Sequence, residues 1–290
     1  MIPYGKQEIN QQDLDAVLDV LTSDFLTQGP KVPTFEQTVA DYVGAKHGVA
    51  VNSATSALHI ACLALGVEQG DAVWTTPITF VASANCALYC GAVVDFVDVD
   101  PDTNNMSPVA LRVKLEEVKS SGQALPKVVI PVHLSGLPCD MVAIHELSIE
   151  YGFKIIEDAS HAIGGRYLDK AVGACEYSDI TVFSFHPVKI ITTAEGGLAT
   201  TTRPYLAEQM GLFRSHGVTR DEHLMEGDPD GAWYYEQVTL GYNYRMTELQ
   251  AALGLSQMTR LDQFVAARHS LAKRYLELLD GLPIKLPCYQ

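Results

Sequence analysis

Apolar residues at Leu14, Val17, Leu18 and Leu21 recur at i, i+3, i+4 and i+7, which predicts a helix near the start of the chain. After the break at Gly29-Pro30, Phe35, Val39 and Tyr42 continue the helical spacing. From Gly48 the pattern changes. Short apolar runs now alternate with amphipathic segments: GVAVN with TSALHIACLAL, AVWTT with TFVASANCALYC, VVDFVDV with SPVALRVKLEEVKSS. KVVIPV then precedes DMVAIHELSIEYG, and FKIIED leads into DITVFSF and GGLATTT. Such alternation predicts an α/β fold, with a mostly parallel central sheet covered by helices on both faces over residues 48–202. Residues 217–244, rich in Gly, Asp, Tyr and Trp, read as loop, and helical periodicity resumes over 246–279. There is no internal repeat and no low-complexity segment.

In open parallel sheets, ligands bind outside the carboxyl ends of the strands, so polar residues just after each apolar run are the candidates. Three segments qualify. The first is Asn52-Ser53-Ala54-Thr55-Ser56, small residues opening a helix, whose free N–H groups and dipole suit a phosphate. A plain helix cap by Ser53 or Thr55 is the commoner case and, on this motif alone, the favoured one. The second is Glu157-Asp158-Ala159-Ser160-His161, an acid pair at a strand end. It suits a metal, a ribose hydroxyl, a protonated ring nitrogen or simple capping, with His161 beside it. The third is Phe183-Ser184-Phe185-His186-Pro187-Val188-Lys189, a lysine enclosed by apolar neighbours. Desolvation there favours the neutral amine needed for Schiff-base chemistry, although a lysine stem covering an apolar patch is the commoner case.

Composition narrows the field. The 290 residues suit one large or two smaller domains, and 47% hydrophobic with 19% charged residues excludes disorder. A net charge of -15 argues against nucleic acid as a partner, without excluding a local phosphate pocket. The longest apolar runs, such as 61–67, are too short for a bilayer, and the N-terminus shows no secretory signal. The six cysteines form no CxxC pair or metal-spaced cluster, so no metal is expected. Cys86 and Cys90, four apart, read as neighbours on one helix face. Reduced core thiols in a cytoplasmic protein are the expectation.

Taken in order, the phosphate-type turn, the aromatic Phe80, the strand-end acid Asp158 and the enclosed Lys189 resemble the fold-type I pyridoxal-phosphate enzymes. More narrowly, NSATSALH, TTPITFVASAN, EDASHAIGG, SFHPVKIITTAEGG, FRSHG and GYNYRMTELQAALG resemble the DegT/DnrJ-type nucleotide-sugar aminotransferases. The resemblance runs through essentially the whole chain. It implies pyridoxal 5'-phosphate bound covalently by Lys189, which then shuttles a proton, with Asp158 on the protonated ring nitrogen. It also implies Phe80 stacked on the ring and His161 near the phenolic oxygen. Ala54, Thr55 and Ser184 would hold the phosphate, with alanine at 54 where the family usually has glycine. Asn243 matches a residue that reaches the neighbouring subunit's phosphate, implying a homodimer with shared active sites. Arg214, His216 and Arg245 match positions near that interface. Tyr4, Thr27, Gln28 and His186 are implied contacts of the nucleotide sugar.

The family ordinarily continues beyond LPIKLP into a small C-terminal domain, so the resemblance implies a large domain over 1–245 and the start of a truncated one over 246–290. The reaction implied moves an amino group from an amino acid, glutamate, to C4 of a UDP-4-keto-6-deoxy-N-acetylhexosamine in pseudaminic acid or related surface-sugar biosynthesis. A non-catalytic pyridoxal-phosphate sensor is the alternative within the same fold. Related dehydratases carry histidine in place of the lysine, so Lys189 argues against them. A nicotinamide enzyme would need the glycine fingerprint that is absent.

Overall fold

The computed structural model describes residues 5–225, 227 and 229–288. Two helices, α1 (Gln11–Leu21) and α2 (Lys31–Val43), precede β1 (His47–Val51). Strands and helices then alternate: α3 (Ala54–Ala64), β2 (Ala72–Thr75), α4 (Ala82–Tyr89), β3 (Val93–Phe96), α5 (Pro108–Ser120), β4 (Val128–Val129), α6 (Met141–Tyr151) and β5 (Lys154–Asp158). A small ribbon, β6 (Arg166–Tyr167) with β7 (Lys170–Ala171), leads to β8 (Ile180–Ser184), β9 (Gly197–Thr201) and α7 (Pro204–Arg214). The segment expected as loop is mostly that, with one short ribbon of β10 (Val218–Thr219) and β11 (Glu236–Gln237). The final helical stretch breaks at Thr259 and Arg260 into α8 (Glu248–Met258) and α9 (Leu261–Leu279).

Seven strands form the main sheet in the order β1-β9-β8-β5-β4-β2-β3. Only β9 runs against its neighbours, pairing antiparallel with both β1 and β8. The mostly parallel α/β sheet expected from the sequence is therefore present. Its central strands are buried on both faces, which is why β8 reads ITVFS without alternation. On one face, Leu58, Ile60, Ile156, Val182 and Met210 pack together under α3, α4 and α7. On the other, Phe35, Phe183, Phe185 and Leu198 pack with α2 and α8, and Trp74, Leu111, Leu115, Ile144 and Ile155 with α5 and α6. Phe35 and Phe185 meet edge to face, their centroids 5.2 Å apart.

The first helix departs from the pattern that marks it. Leu14, Leu18 and Leu21 are 50%, 56% and 53% exposed, while Asp13 and Val20 are buried. Asp13 completes a capping box with Asn10 and also accepts hydrogen bonds from Ser256 (2.6 Å) and Gln257 (2.8 Å) of α8. It pairs with Arg260 as well. Burial alone would raise its pKa, but these donors together hold the carboxyl below its ordinary range. Thus polar contacts seat α1 on α8.

Candidate active site

The site is assembled where α3 begins. Ser53 caps that helix by accepting the Ser56 N–H at 3.1 Å, leaving the N–H groups of Ala54 and Thr55 in the first turn without intrahelical acceptors. That turn sits directly on the sheet, because Gly197 of β9 lies under it. A Cβ at Gly197 would collide with the Ser53–Ala54 backbone. Gly197 also pairs with Ser184, the last residue of β8. One glycine thus sets the Ser184 strand end beside the helix start, as an anion cradle requires.

Asp158 ends β5, is 4% exposed and pairs in register with Val182 of β8. Alternation along β5 turns Asp158 toward the same face as Ile156, the face of α3 and α4. There Ser83 of α4 donates to its Oδ2 at 2.7 Å, while the Ser160 hydroxyl and amide donate to Oδ1 at 2.6 and 3.2 Å. Thr79 and Ser83 share a hydroxyl contact of 2.7 Å, so the same chain of bonds reaches the turn carrying Phe80. Phe80 stands at the start of α4 with 73% of its surface open. A ring so exposed beside a buried carboxylate leaves a flat face available to a planar ligand.

Lys189 lies in the turn after β8, half-buried. The turn is held by Lys189 N–H to His186 O (2.9 Å), Thr193 N–H to Phe185 O (3.0 Å) and Phe185 N–H to Gly196 O (2.9 Å). Two later helices brace it: Gln250 donates to Glu195 O at 2.7 Å and Arg268 to Lys189 O at 3.3 Å. Burial pushes the Lys189 ammonium below its ordinary pKa, with the charge of Asp158 opposing. His161 is pushed down by burial and then by the charge of Lys189, Asp158 again opposing. Its Nδ1 accepts the Ser135 N–H at 3.2 Å, which leaves the ring proton on Nε2. Asp158, His161 and Lys189 therefore lie in one electrostatic neighbourhood.

The remaining candidates sit around this centre. Asn243 is exposed and bridges to Ser215 through its backbone, while Asn52 Nδ2 reaches its carbonyl at 3.5 Å. Arg214 faces inward to Glu36 and to Ala50 O at 2.9 Å. His216 has a left-handed backbone with φ 62° and donates its N–H to Tyr242 O at 2.9 Å. Arg245 bridges to Val51 by its backbone. Thr27 and Gln28 are exposed on a loop tied to the start of α8 by a Thr27–Thr247 bridge. There Glu248 caps α2, accepting the N–H groups of Lys31 (2.7 Å) and Val32 (3.2 Å), because the capping residue Pro30 offers no side-chain acceptor. His186 is exposed on the lysine turn. Tyr4 lies outside the described residues, although Gly5 rests against Val188.

Several contributors carry no local signal in the sequence. Ser83 lies inside an apolar helical segment, Ser160 reads as ordinary turn chemistry, and Gln250 and Arg268 belong to helices, 55 and 79 residues beyond the carbonyls they hold. Only Gly197, in the run EGG before a strand, has a signal: a glycine in a strand often marks a close backbone approach. Among the described residues, no group of three or more His, Cys, Asp or Glu could hold a metal ion.

A helix N-terminus for an anion, an exposed aromatic face, a buried carboxylate and a desolvated lysine suit pyridoxal phosphate in each of its parts, and the α/β layout suits the fold-type I enzymes that use it. The chain belongs to the DegT/DnrJ/EryC1/StrS aminotransferase family, which it matches over residues 7–289. It is a pyridoxal-phosphate-dependent aminotransferase. Among similar proteins, the UDP-4-amino-4,6-dideoxy-N-acetyl-beta-L-altrosamine transaminase of Campylobacter jejuni is 39% identical over 275 residues, covering 95% of this chain and 69% of the relative. The solved structure of Helicobacter pylori PseC, an aminotransferase of pseudoaminic acid biosynthesis, superposes with a TM-score of 0.86 at 33% identity, covering 97% of this chain and 71% of that one. The PLP form of a Streptococcus pneumoniae sugar aminotransferase gives 0.84 at 30% identity, with 97% and 72% covered.

Proposed function

We propose that this chain transfers an amino group from an amino acid, glutamate, to C4 of a UDP-4-keto-6-deoxy-N-acetylhexosamine, in pseudaminic acid or related surface-sugar biosynthesis. The observation that supports this reading is the placing of Ser184 beside the start of α3 by Gly197, with the charges of Asp158 and Lys189 acting on one another and on His161 beyond the ends of β5 and β8. The likeness to the altrosamine transaminase and to PseC supports the sugar class. Pyridoxal phosphate, when bound, supplies the electron sink that lets a proton leave the amino-bearing carbon. In this reading the N–H groups of Ala54 and Thr55, with the Ser184 hydroxyl, bind its phosphate. Phe80 covers one ring face, and Asp158 holds the proton on the pyridine nitrogen. Lys189 Nζ, whose ammonium burial pushes below its ordinary pKa, would hold the cofactor covalently and, once displaced, would move the proton between the substrate carbon and the cofactor carbon. His161 Nε2–H orients the phenolic oxygen.

Asn243, exposed at the rim, would reach the phosphate of a second subunit, so the working unit in this reading is a cytoplasmic homodimer with shared sites. Thr27, Gln28, His186 and Tyr4 would contact the sugar nucleotide. Borohydride reduction of the pyridoxal-phosphate-loaded protein, followed by peptide mapping, is expected to place the pyridoxyl group on Lys189. An adduct on another lysine would overturn the assignment. Transamination of the UDP-4-keto sugar with glutamate tests the substrate class separately.

A further inference from the structure

Asn105, in the loop between β3 and α5, is a polar amide enclosed by protein, 3% exposed. The loop is braced to hold it there. Asp100 accepts the N–H groups of Asp102 (2.8 Å) and Thr103 (3.0 Å), its own N–H goes to Asn105 O at 2.8 Å, and Asn104 is left-handed at φ 58°. A buried amide must find partners for both of its ends. Those of Asn105 all lie in one segment, residues 134–138. Its Oδ1 accepts the Leu134 N–H at 3.0 Å, while Nδ2 donates to Leu137 O at 2.8 Å and Pro138 O at 3.2 Å. An N–H only donates and a carbonyl only accepts, so these partners also fix which way the amide faces.

The segment so held makes a single 3₁₀ turn, Leu134–Gly136, in which Ser135 is left-handed at φ 55° and ψ 17°. Serine seldom adopts that conformation unaided, and it persists where the surroundings over-determine it. Two further ties bring the turn to the strand-end acid and the imidazole. His133 N–H donates to Asp158 O at 3.1 Å, and a Cβ at Gly136 would stand 3.0 Å from His161 O. The left-handed residue is the one whose N–H meets His161, at 3.2 Å from Nδ1. A neutral imidazole carries one ring proton, and the nitrogen that accepts an N–H is the one without it.

We propose that Asn105 is a positioning residue for the amine-transfer site: by clamping residues 134–138 it keeps the Ser135 N–H on His161 Nδ1, and so fixes the His161 tautomer with its proton on Nε2. The inference rests on the reading of His161 as the donor to the cofactor's phenolic oxygen, because a neutral imidazole can donate from Nε2 only in that tautomer. Asn105 acts through the turn, its own amide being spent on Leu134, Leu137 and Pro138. Without the clamp the Ser135 peptide is free to turn away, and the two tautomers compete.

The test reads the tautomer directly and needs neither cofactor nor substrate. Nitrogen NMR is recorded on the chain with isotope-labelled histidine at about pH 8, above the ordinary imidazole pKa, and His161→Gln identifies the His161 signals by their loss. The wild type is expected to show a bare Nδ1 and a protonated Nε2. In Asn105→Ala the ratio of the Nδ1–H to the Nε2–H form should rise about five- to tenfold, the effect of losing one hydrogen bond. Should that variant fail to fold, Asn105→Asp carries the test: it keeps the volume but turns an oxygen toward two carbonyls, and should shift the ratio in the same direction. Adding Ser135→Gly to Asn105→Ala should restore part of the Nε2–H form, since glycine takes a positive φ without strain. A wild-type His161 protonated on Nδ1 would overturn the proposal. So would an unchanged ratio in the folded variant, or a changed one that Ser135→Gly does not reverse. None of these outcomes touches the amine-transfer reading itself, which the mapping of Lys189 tests.

Discussion

Glu157 and Asp158 are consecutive acids at the end of one strand, yet they serve two different regions. The side-chain period of two turns Asp158 toward α3 and α4 and Glu157 toward the face of Ile155 and α6. Glu157 is enclosed there by donors: His133 Nε2 at 2.7 Å, the Thr181 hydroxyl at 2.9 Å and the Ser178 hydroxyl. His133 in turn accepts the Cys139 N–H on Nδ1 at 3.1 Å, so its ring proton is on Nε2 and is given to Glu157. Asp158 has two hydroxyls and one amide around it, beside an exposed aromatic ring and a desolvated lysine. The lesson is that donor count does not separate two buried acids, since each accepts three hydrogen bonds. Asp158 is the candidate for chemistry because its neighbours hold it still near a half-buried lysine, whereas Glu157 is closed in with a buried histidine.

The sharpest way to break this comparison is Asp158→Asn. It keeps the shape and removes the charge, and the amine half-reaction, followed as a single turnover in the visible spectrum, should slow by about two to four orders of magnitude. A near-normal rate would make Asp158 as structural as its neighbour. Glu157→Ala should act on stability instead. It strands His133, Ser178 and Thr181 inside the protein, and urea unfolding should show a loss of about 3 kcal/mol, with cofactor chemistry in the surviving folded protein little changed.

Ser83→Ala sharpens the contrast from the other side. Losing the Oδ2 donor frees Asp158 to turn and loosens its tie to the Phe80 turn, so the half-reaction should slow about tenfold, while Ser83→Thr keeps the hydroxyl and should recover part of it. The smallest effect is in pH. Burial alone would raise the Glu157 pKa, but hydrogen bonds from His133, Ser178 and Thr181 hold it below the ordinary 4.5. Its contribution is therefore present above that ordinary value and is lost as pH falls through the lowered one. Denaturation midpoints measured down the acid limb should fall less steeply in Glu157→Gln than in the wild type.

Much of this was legible along the chain. The change from helical spacing to alternating runs at Gly48 marks the mostly parallel α/β sheet, and the three polar segments carry Ser53–Ser56, Asp158, His161, Ser184 and Lys189, which the fold sets at or just beyond the ends of β1, β5 and β8. The acid pair was visible too, but not which member faced which side, because strand phase depends on the sheet the strand enters. Ser83 and Gly197 depend on a helix and a strand meeting from distant parts of the chain. The apolar spacing of α1 marked a helix correctly, yet its Leu14, Leu18 and Leu21 remain exposed while Asp13 is buried against α8.

The sequence by itself determined the elements and the chemistry available at each strand end, because turn residues, helix caps and apolar periodicity act over a few neighbouring positions. Only the tertiary structure decided which acid meets the lysine and which serine holds it. Those outcomes require strand order, register and close backbone approach among segments tens to hundreds of residues apart. No local pattern carries the geometry of such a meeting, since burial, hydrogen bonding and charge at each site are set by the partners that folding brings there.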